Sequence, residues 1–355
     1  MLIAAGNRPS GFDVLRIALA VAVVLWHSFT TSYGSAWAHS VLVSPLRPLI
    51  YLILPAFFSL SGFLVAGSLE RSSLMTFIGL RVIRIVPALV VETVISAFIL
   101  GALLTTLPLA AYFSHPVMHR YLLNIIGIVH YQLPGVFLHN PIADIVNGQL
   151  WTVPWELRCY IALVVLALLR LDRNRHVFLG LGCVVPIAYV LASNIWWDAD
   201  GIDQLSGRAL VLSFLCGVAL FKFRDRISHN GLLFAASLLA FAALVYARYG
   251  EALLCIPASY ITVYLGTLNG RRPVFLMTGD YSYGIFLYGY AVQQFIASLG
   301  PALQVWYVNF SLAGLLILIA AAVSWHVVER PALALRRYFP RLETAIFRMG
   351  RRLRA

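Results

Sequence analysis

The sequence predicts an all-α integral membrane protein: about ten transmembrane helices, a short interfacial or re-entrant helix, and both termini in the cytoplasm. Three observations predict it. The chain of 355 residues is 61% hydrophobic and 11% charged, whereas soluble domains carry about 25% charged residues. Apolar segments close to the ~20 residues needed to cross a bilayer recur from end to end and leave no room for a separate soluble domain. Basic residues gather in alternate loops, as they do when a chain crosses a membrane repeatedly.

The apolar segments lie at about 12–33, 48–69, 80–107, 150–169, 176–194, 208–222, 231–249, 251–267, 281–300 and 308–329. The first, "FDVLRIALAVAVVLWHSFTTSY", is too long for a signal peptide and lacks a small-residue cleavage site, so it reads as a retained anchor. Two of the ten are short and must stand nearly upright or thin the bilayer. A further segment at 120–133, "RYLLNIIGIVHYQL", is too short to cross and reads as interfacial or re-entrant. One set of loops holds Arg8, Arg71, Arg81, Arg84, Arg170, Arg173, Arg175, Lys222, Arg224, Arg226, Arg271, Arg272 and the eight arginines from Arg330 onward. The other holds Arg47, Arg120, Arg208 and Arg248, and this asymmetry of twenty to four places both termini in the cytoplasm. The division that follows is a transmembrane domain over 1–329 and a basic tail over 330–355. In the tail, arginines alternate with Tyr338, Phe339, Leu342, Ile346 and Phe347, the pattern of an amphipathic helix on an anionic membrane surface.

Net charge is +12, but its segregation to one side of the spans accounts for it without nucleic-acid binding. The four cysteines, Cys159, Cys183, Cys216 and Cys255, all fall in apolar segments with no Cys-x-x-Cys or Cys/His spacing. They read as small buried hydrophobes, with no disulfide and no metal site expected.

Polar groups inside the spans carry the functional signal, because a charge in hydrocarbon costs at least about 2.5–3.5 kcal/mol. Arg16 and His27 are eleven residues apart, about three full turns, so they share a helix face about 16 Å apart along the axis. Asp13 lies one turn from Arg16. In "LRVIRIVP", Arg81 and Arg84 stand side by side at i, i+3, an arrangement suited to phosphate. In "LWTVPWELRCYI", Glu156 and Tyr160 share one face and Trp151 and Trp155 another, with Pro154 tolerated in the first turn. The tryptophans fit an interfacial belt, whereas a carboxylate two turns deep marks a site or an aqueous cavity. Ser59, Ser61, Gly62, Ala66 and Gly67 in "LPAFFSLSGFLVAGS" permit close helix packing. Asp280 in "GDYSYGIFLYGY" and Glu329 in "SWHVVERP" read mainly as capping and anchoring groups.

At these residues the chain resembles the acyltransferase-3 family of membrane-bound acyltransferases. The resemblance runs over nearly the whole chain. It is carried by "DVLRIALAVAVVLWH" with the arginine, ten residues, histidine signature at Arg16 and His27, by "FFSLSGFLV", by the paired arginines Arg81 and Arg84, by "LWTVPWELRCY", by "DYSYGIFLY" and by "SWHVVERP". It implies a ten-helix core and O-acylation of a carbohydrate hydroxyl, with a short acyl-CoA, usually acetyl-CoA, as donor and no metal. The implied acceptor is a glycan or lipid-linked saccharide, and the implied location the bacterial inner (plasma) membrane. Many members carry a histidine and proline after the tyrosine-rich motif. Here "YGYAVQQ" has neither, so no role for that histidine is carried over.

Combined with the spacing, the resemblance gives a definite expectation. Arg81, Arg84 and Arg16 hold the phosphates of acyl-CoA, and His27 is the general base that deprotonates the acceptor. Glu156 orients the sugar or the imidazole, and Trp151 and Tyr160 bind substrate. The competing expectation is a transporter or flippase of an anionic lipid or metabolite, with Arg16, Arg158 and Glu156 along the path and His27 as proton relay. The absence of internal repeats counts against it.

Overall fold

The computed structural model describes residues 9–196, 205–247, 250–268, 270, 278–339 and 343–344. Arg8, Arg248, Arg271, Arg272, the side chain of Cys183 and the tail positions Leu342, Ile346 and Phe347 lie outside the described residues.

No strand occurs among the described residues, and helices overlie the predicted segments in order. They are α1 (Gly11–Leu42), α2 (Arg47–Arg71), α3 (Leu74–Leu104), two short helices α4 (Leu109–Ser114) and α5 (Pro116–Tyr121), α6 (Val153–Leu168), α7 (Arg175–Trp196), α8 (Gly207–Lys222), α9 (Gly231–Tyr246), α10 (Gly250–Gly266), α11 (Ser282–Ser298) and α12 (Trp306–Tyr338). Five helical stretches are long and apolar enough to cross a membrane: α1, α2, α3, α12 and α6 with its preceding 3₁₀ turn Gly148–Thr152. Large apolar side chains such as Leu103, Ile161, Leu239 and Leu315 point outward, as a lipid-facing surface requires.

The last helix runs on to Tyr338 rather than ending at 329, and three other boundaries depart from the sequence expectation, each for a local reason. The third helix begins at Leu74 rather than 80, because the Ser73 hydroxyl caps the Thr76 N–H, so Arg81 and Arg84 sit two or three turns inside it. α1 runs past residue 33 but kinks at Gly34, whose φ of 82° suits glycine and whose Cα faces the Pro141 carbonyl. Helix in 120–133 stops at Ile126, where Gly127 turns the chain at φ 81°, and residues 127–147 are irregular.

That irregular stretch is bound into the bundle. Asn124 brackets the His130 backbone, and Asn140 donates to the side chain and carbonyl of Gln294, which in turn donates to the carbonyls of Ile142 and Ile145. Its non-helical backbone is satisfied in part by these protein groups. The segment then delivers the chain to Gly148–Thr152 and α6, so the Glu156 helix starts inside the bundle.

The tightest helix crossing is between α2 and α8. A Cβ on Gly62 would fall 2.1 Å from the Phe214 carbonyl oxygen, and one on Gly217 would fall 2.1 Å from that of Ser59. Ser59 and Ser259 share a hydrogen bond of 2.7 Å at this crossing, tying α10 to it. The small residues of the second span therefore do pack helices, while Ser61 beside them faces a cavity.

Candidate active site

Six helical elements meet around a cavity of about 440 Å³. α1 contributes Arg16, α2 Phe57 and Ser61, α3 Arg81 and Arg84, α6 Glu156 and Tyr160, the turn before α11 Asp280, and the far end of α12 Leu333 and Arg336. Five residues singled out from the sequence, Arg16, Arg81, Arg84, Glu156 and Tyr160, thus line one space although they come from three helices distant in the chain.

Asp280 organises the cationic wall. Its Oδ2 lies 2.7 Å from Arg16 Nη1 and 2.8 Å from Arg84 Nη2. Burial alone would raise the Asp280 carboxyl, but the two guanidiniums outweigh it and hold it well below the usual carboxylate range. Arg84 also reaches Glu329 at 3.4 Å, and the Glu329 carboxylate accepts from Ser324 at 3.1 Å. Glu329 and Ser324 lie in a π-helical turn, Ser324–Glu329, which swings the carboxylate toward α3. The sequence reading of Asp280 and Glu329 mainly as capping and anchoring groups is incomplete: Asp280 does accept from Ser282 at the start of α11, but both carboxylates are also counter-ions that position the arginines.

Arg81 is placed differently from Arg84. Its guanidinium lies 5.7 Å from the Phe77 ring centre and 5.8 Å from that of Tyr160, and its Nε has no hydrogen-bond partner among the described residues. Tyr160 donates to Glu156, and its oxygen lies 3.4 Å from Ser61 Oγ. Glu156 is therefore engaged with Tyr160 at the arginine-lined level. The expected pairing of Glu156 with the imidazole is not the geometry present.

His27 stands further along α1, about 16 Å from Arg16 by helix rise. It is half-buried, and its ring meets Tyr290 edge-on with centroids 5.0 Å apart. The cavity lining extends along α11 as far as Phe286, one turn short of Tyr290, and His27 is outside that lining. Phe286 meets Phe57 of α2 edge-on at 6.1 Å. Trp151 packs against the main core, and Arg158 is exposed with its guanidinium 4.2 Å above Trp155, so neither lines the cavity.

Sequence reasoning missed a second buried carboxylate. Glu92 of α3 is 1% exposed and accepts from Asn147 at 2.5 Å and from Ser96 at 2.8 Å. Asn147 and Gln149 both donate to the Leu287 carbonyl, and Gly148 between them abuts the Tyr290 ring. The rule applied to Glu156, that a carboxylate within a span marks something built, also picks out Glu92 in "VVETV". Tyr290 had no signal beyond its place in a tyrosine-rich run.

Comparison with known proteins identifies the family. The chain is similar to an O-acetyl transferase of Shigella phage Sf6, 28% identical over 347 residues that cover 91% of this chain and 96% of the relative. It is also similar to nodulation protein 10 of Rhizobium leguminosarum bv. viciae, 26% identical over 359 residues, 93% of this chain and 95% of the relative. No solved structure matches it. A family profile described as an acyltransferase domain matches residues 10–329, nearly the whole chain. With that profile covering α1 to α11 and α12 as far as Glu329, the chain belongs to the acyltransferase-3 family and is an O-acyltransferase.

Proposed function

We propose that the enzyme moves an acyl group, acetyl in the first instance, from cytoplasmic acyl-CoA to a hydroxyl of a glycan or lipid-linked saccharide across the bacterial inner membrane. The observation that carries this reading is the convergence of Arg16, Arg81 and Arg84 with Glu156 and Tyr160 on one cavity, with His27 about three turns along α1 from Arg16 on the same face. Among these, Arg81 has the guanidinium best placed for donor phosphate, since Arg84 is spoken for by Asp280 and Glu329. The acyl-bearing arm then runs along α1 past Phe57 and Phe286 to the level of His27, which requires those two rings to part.

There the imidazole takes the proton of the acceptor hydroxyl as its oxygen attacks the thioester carbonyl. The C–S bond breaks, and the imidazolium returns the proton to the departing thiolate, giving ester and free CoA thiol. Tyr290 fixes the ring plane of His27 from the side. Glu156 acts through Tyr160 and the cavity wall, and Trp151 supports that wall from the core side.

The test is transfer from labelled acetyl-CoA by purified protein. His27→Ala is expected to lower kcat by about 10²–10⁴, the usual worth of a general base, with CoA affinity within a factor of two or so of wild type. Normal turnover in His27→Ala would overturn the assignment. Wild-type protein that moves an anionic solute across vesicles but transfers no acetyl group would favour the transport reading instead.

A further inference from the structure

A second, larger cleft of about 1110 Å³ opens beside the turn between α2 and α3. It is distinct from the active-site cavity but flanks the same helix end: Leu69, Glu70 and Ser72 line it, while Ser68 and Arg71 line the other. Five permanent cations, Arg170, Arg173, Arg175, Lys222 and Arg224, face three carboxylates, Glu70, Asp172 and Asp225, so two positive charges are left over.

Three of the cations are held in place. Glu70 holds Lys222 at 3.0 Å and Arg224 at 3.2 Å, and the Lys222 side chain is only 9% exposed. Arg224 lies 4.0 Å above the Phe221 ring and donates to its carbonyl, and Arg175 sits 5.5 Å above Phe223 and 4.0 Å from Asp225. Arg170 and Arg173 complete the wall with no ion-pair or hydrogen-bond partner for their side chains among the described residues. Arg170 occupies a left-handed conformation, φ 59°, which a non-glycine residue adopts only at some cost. Positive-inside charge accounts for the number of these residues, but not for their collection around a pre-formed cleft with part of the array neutralised and two forks left open.

We propose that this cleft is a second anion site, which takes a phosphate-bearing ligand. The paired forks of Arg170 and Arg173 contact the phosphate oxygens, while the Glu70-held Lys222 and Arg224 supply background charge. The phosphate oxygens come from one of two sources, a soluble phosphate or pyrophosphate compound or the head group of an anionic phospholipid. The site does not depend on the donor reading above, and loss of CoA binding in the first cavity leaves it untouched.

The probe is inorganic pyrophosphate, titrated by calorimetry against the full chain in nanodiscs of phosphatidylcholine alone and of phosphatidylcholine with phosphatidylglycerol. A saturable component is expected in the neutral discs, weakened at least about tenfold in Arg170→Gln/Arg173→Gln, whose exposed positions leave folding undisturbed. Arg81→Ala, the control for the first cavity, keeps that component. If phosphatidylglycerol suppresses it, the source is lipid; if it persists, the source is soluble. No saturable binding in neutral discs, or equal affinity in wild type and the double variant, overturns the proposal.

Discussion

At the residue scale, two arginines one turn apart have different work. Arg84 is clamped between Asp280 and Glu329, whereas Arg81 lies against aromatic rings with no hydrogen-bond partner for its Nε among the described residues. Charge-assisted hydrogen bonds to phosphate are worth about 1.5–3 kcal/mol, so Arg81→Ala is expected to weaken CoA binding by about ten- to a hundredfold with little change in thermal stability. Arg84→Ala leaves Glu329 without its cation and Asp280 with Arg16 alone, and is expected to lower Tm, by an amount equivalent to about 1–3 kcal/mol, with Arg84→Lys recovering part of it. Calorimetry with CoA and thermal melts in detergent separate the two effects; the same loss of affinity and of Tm in both variants would contradict the division. From the sequence the pair was legible as a phosphate-binding spacing, but its inequality was not. It arises from Asp280 and Glu329, about two hundred or more positions away, and only the packing of α3 against α11 and α12 brings them in.

At the element scale, α2 and α8 approach as closely as glycine allows. Gly62 and Gly217 each face a carbonyl oxygen of the partner helix at a distance no Cβ tolerates. Gly62→Ala or Gly217→Ala must push the helices apart and is expected to destabilise by about 1–3 kcal/mol, the usual cost of overpacking. Gly314, with nothing near its Cα, is the neutral control. Tm measured for the three alanine variants checks this, and an unchanged Tm in the first two would remove the crossing as a stability determinant. The small-residue run "FFSLSGFLVAGS" announced such packing but not its partner. The path of the chain from α5 to α6 was the least legible element. Residues 127–147 have no period, because their backbone is satisfied by side chains of distant residues such as Gln294 rather than by a local ladder.

At the scale of the whole molecule, charge segregation sets a direction that packing alone does not. A fluorescent protein fused after Ala355 is expected to fluoresce in the cytoplasm, and alkaline phosphatase inserted near Asn140 is expected to be active outside it. The reverse pattern would invert the direction from which the donor reaches Arg81. In the expected orientation, the arginine-lined cavity and the second basic cleft both open inward, and the 127–147 segment covers the opposite end near Gly34 and Tyr290.

The sequence by itself determined that this chain lives in a membrane, which polar groups are too costly to be idle there, and the family whose motifs they spell. The first two follow from composition, period and spacing, which are properties of single helices, and the family from the resemblance of the motifs. Only the tertiary structure decided which of those groups meet. Glu156 joins Tyr160 rather than His27, Asp280 gathers Arg16 and Arg84, and Glu92 anchors a loop through Asn147. The reason is physical: helix periodicity fixes the face a side chain occupies, but not which neighbour that face is turned toward, and in lipid that choice is made by close packing between helices and by the pairing of buried polar groups.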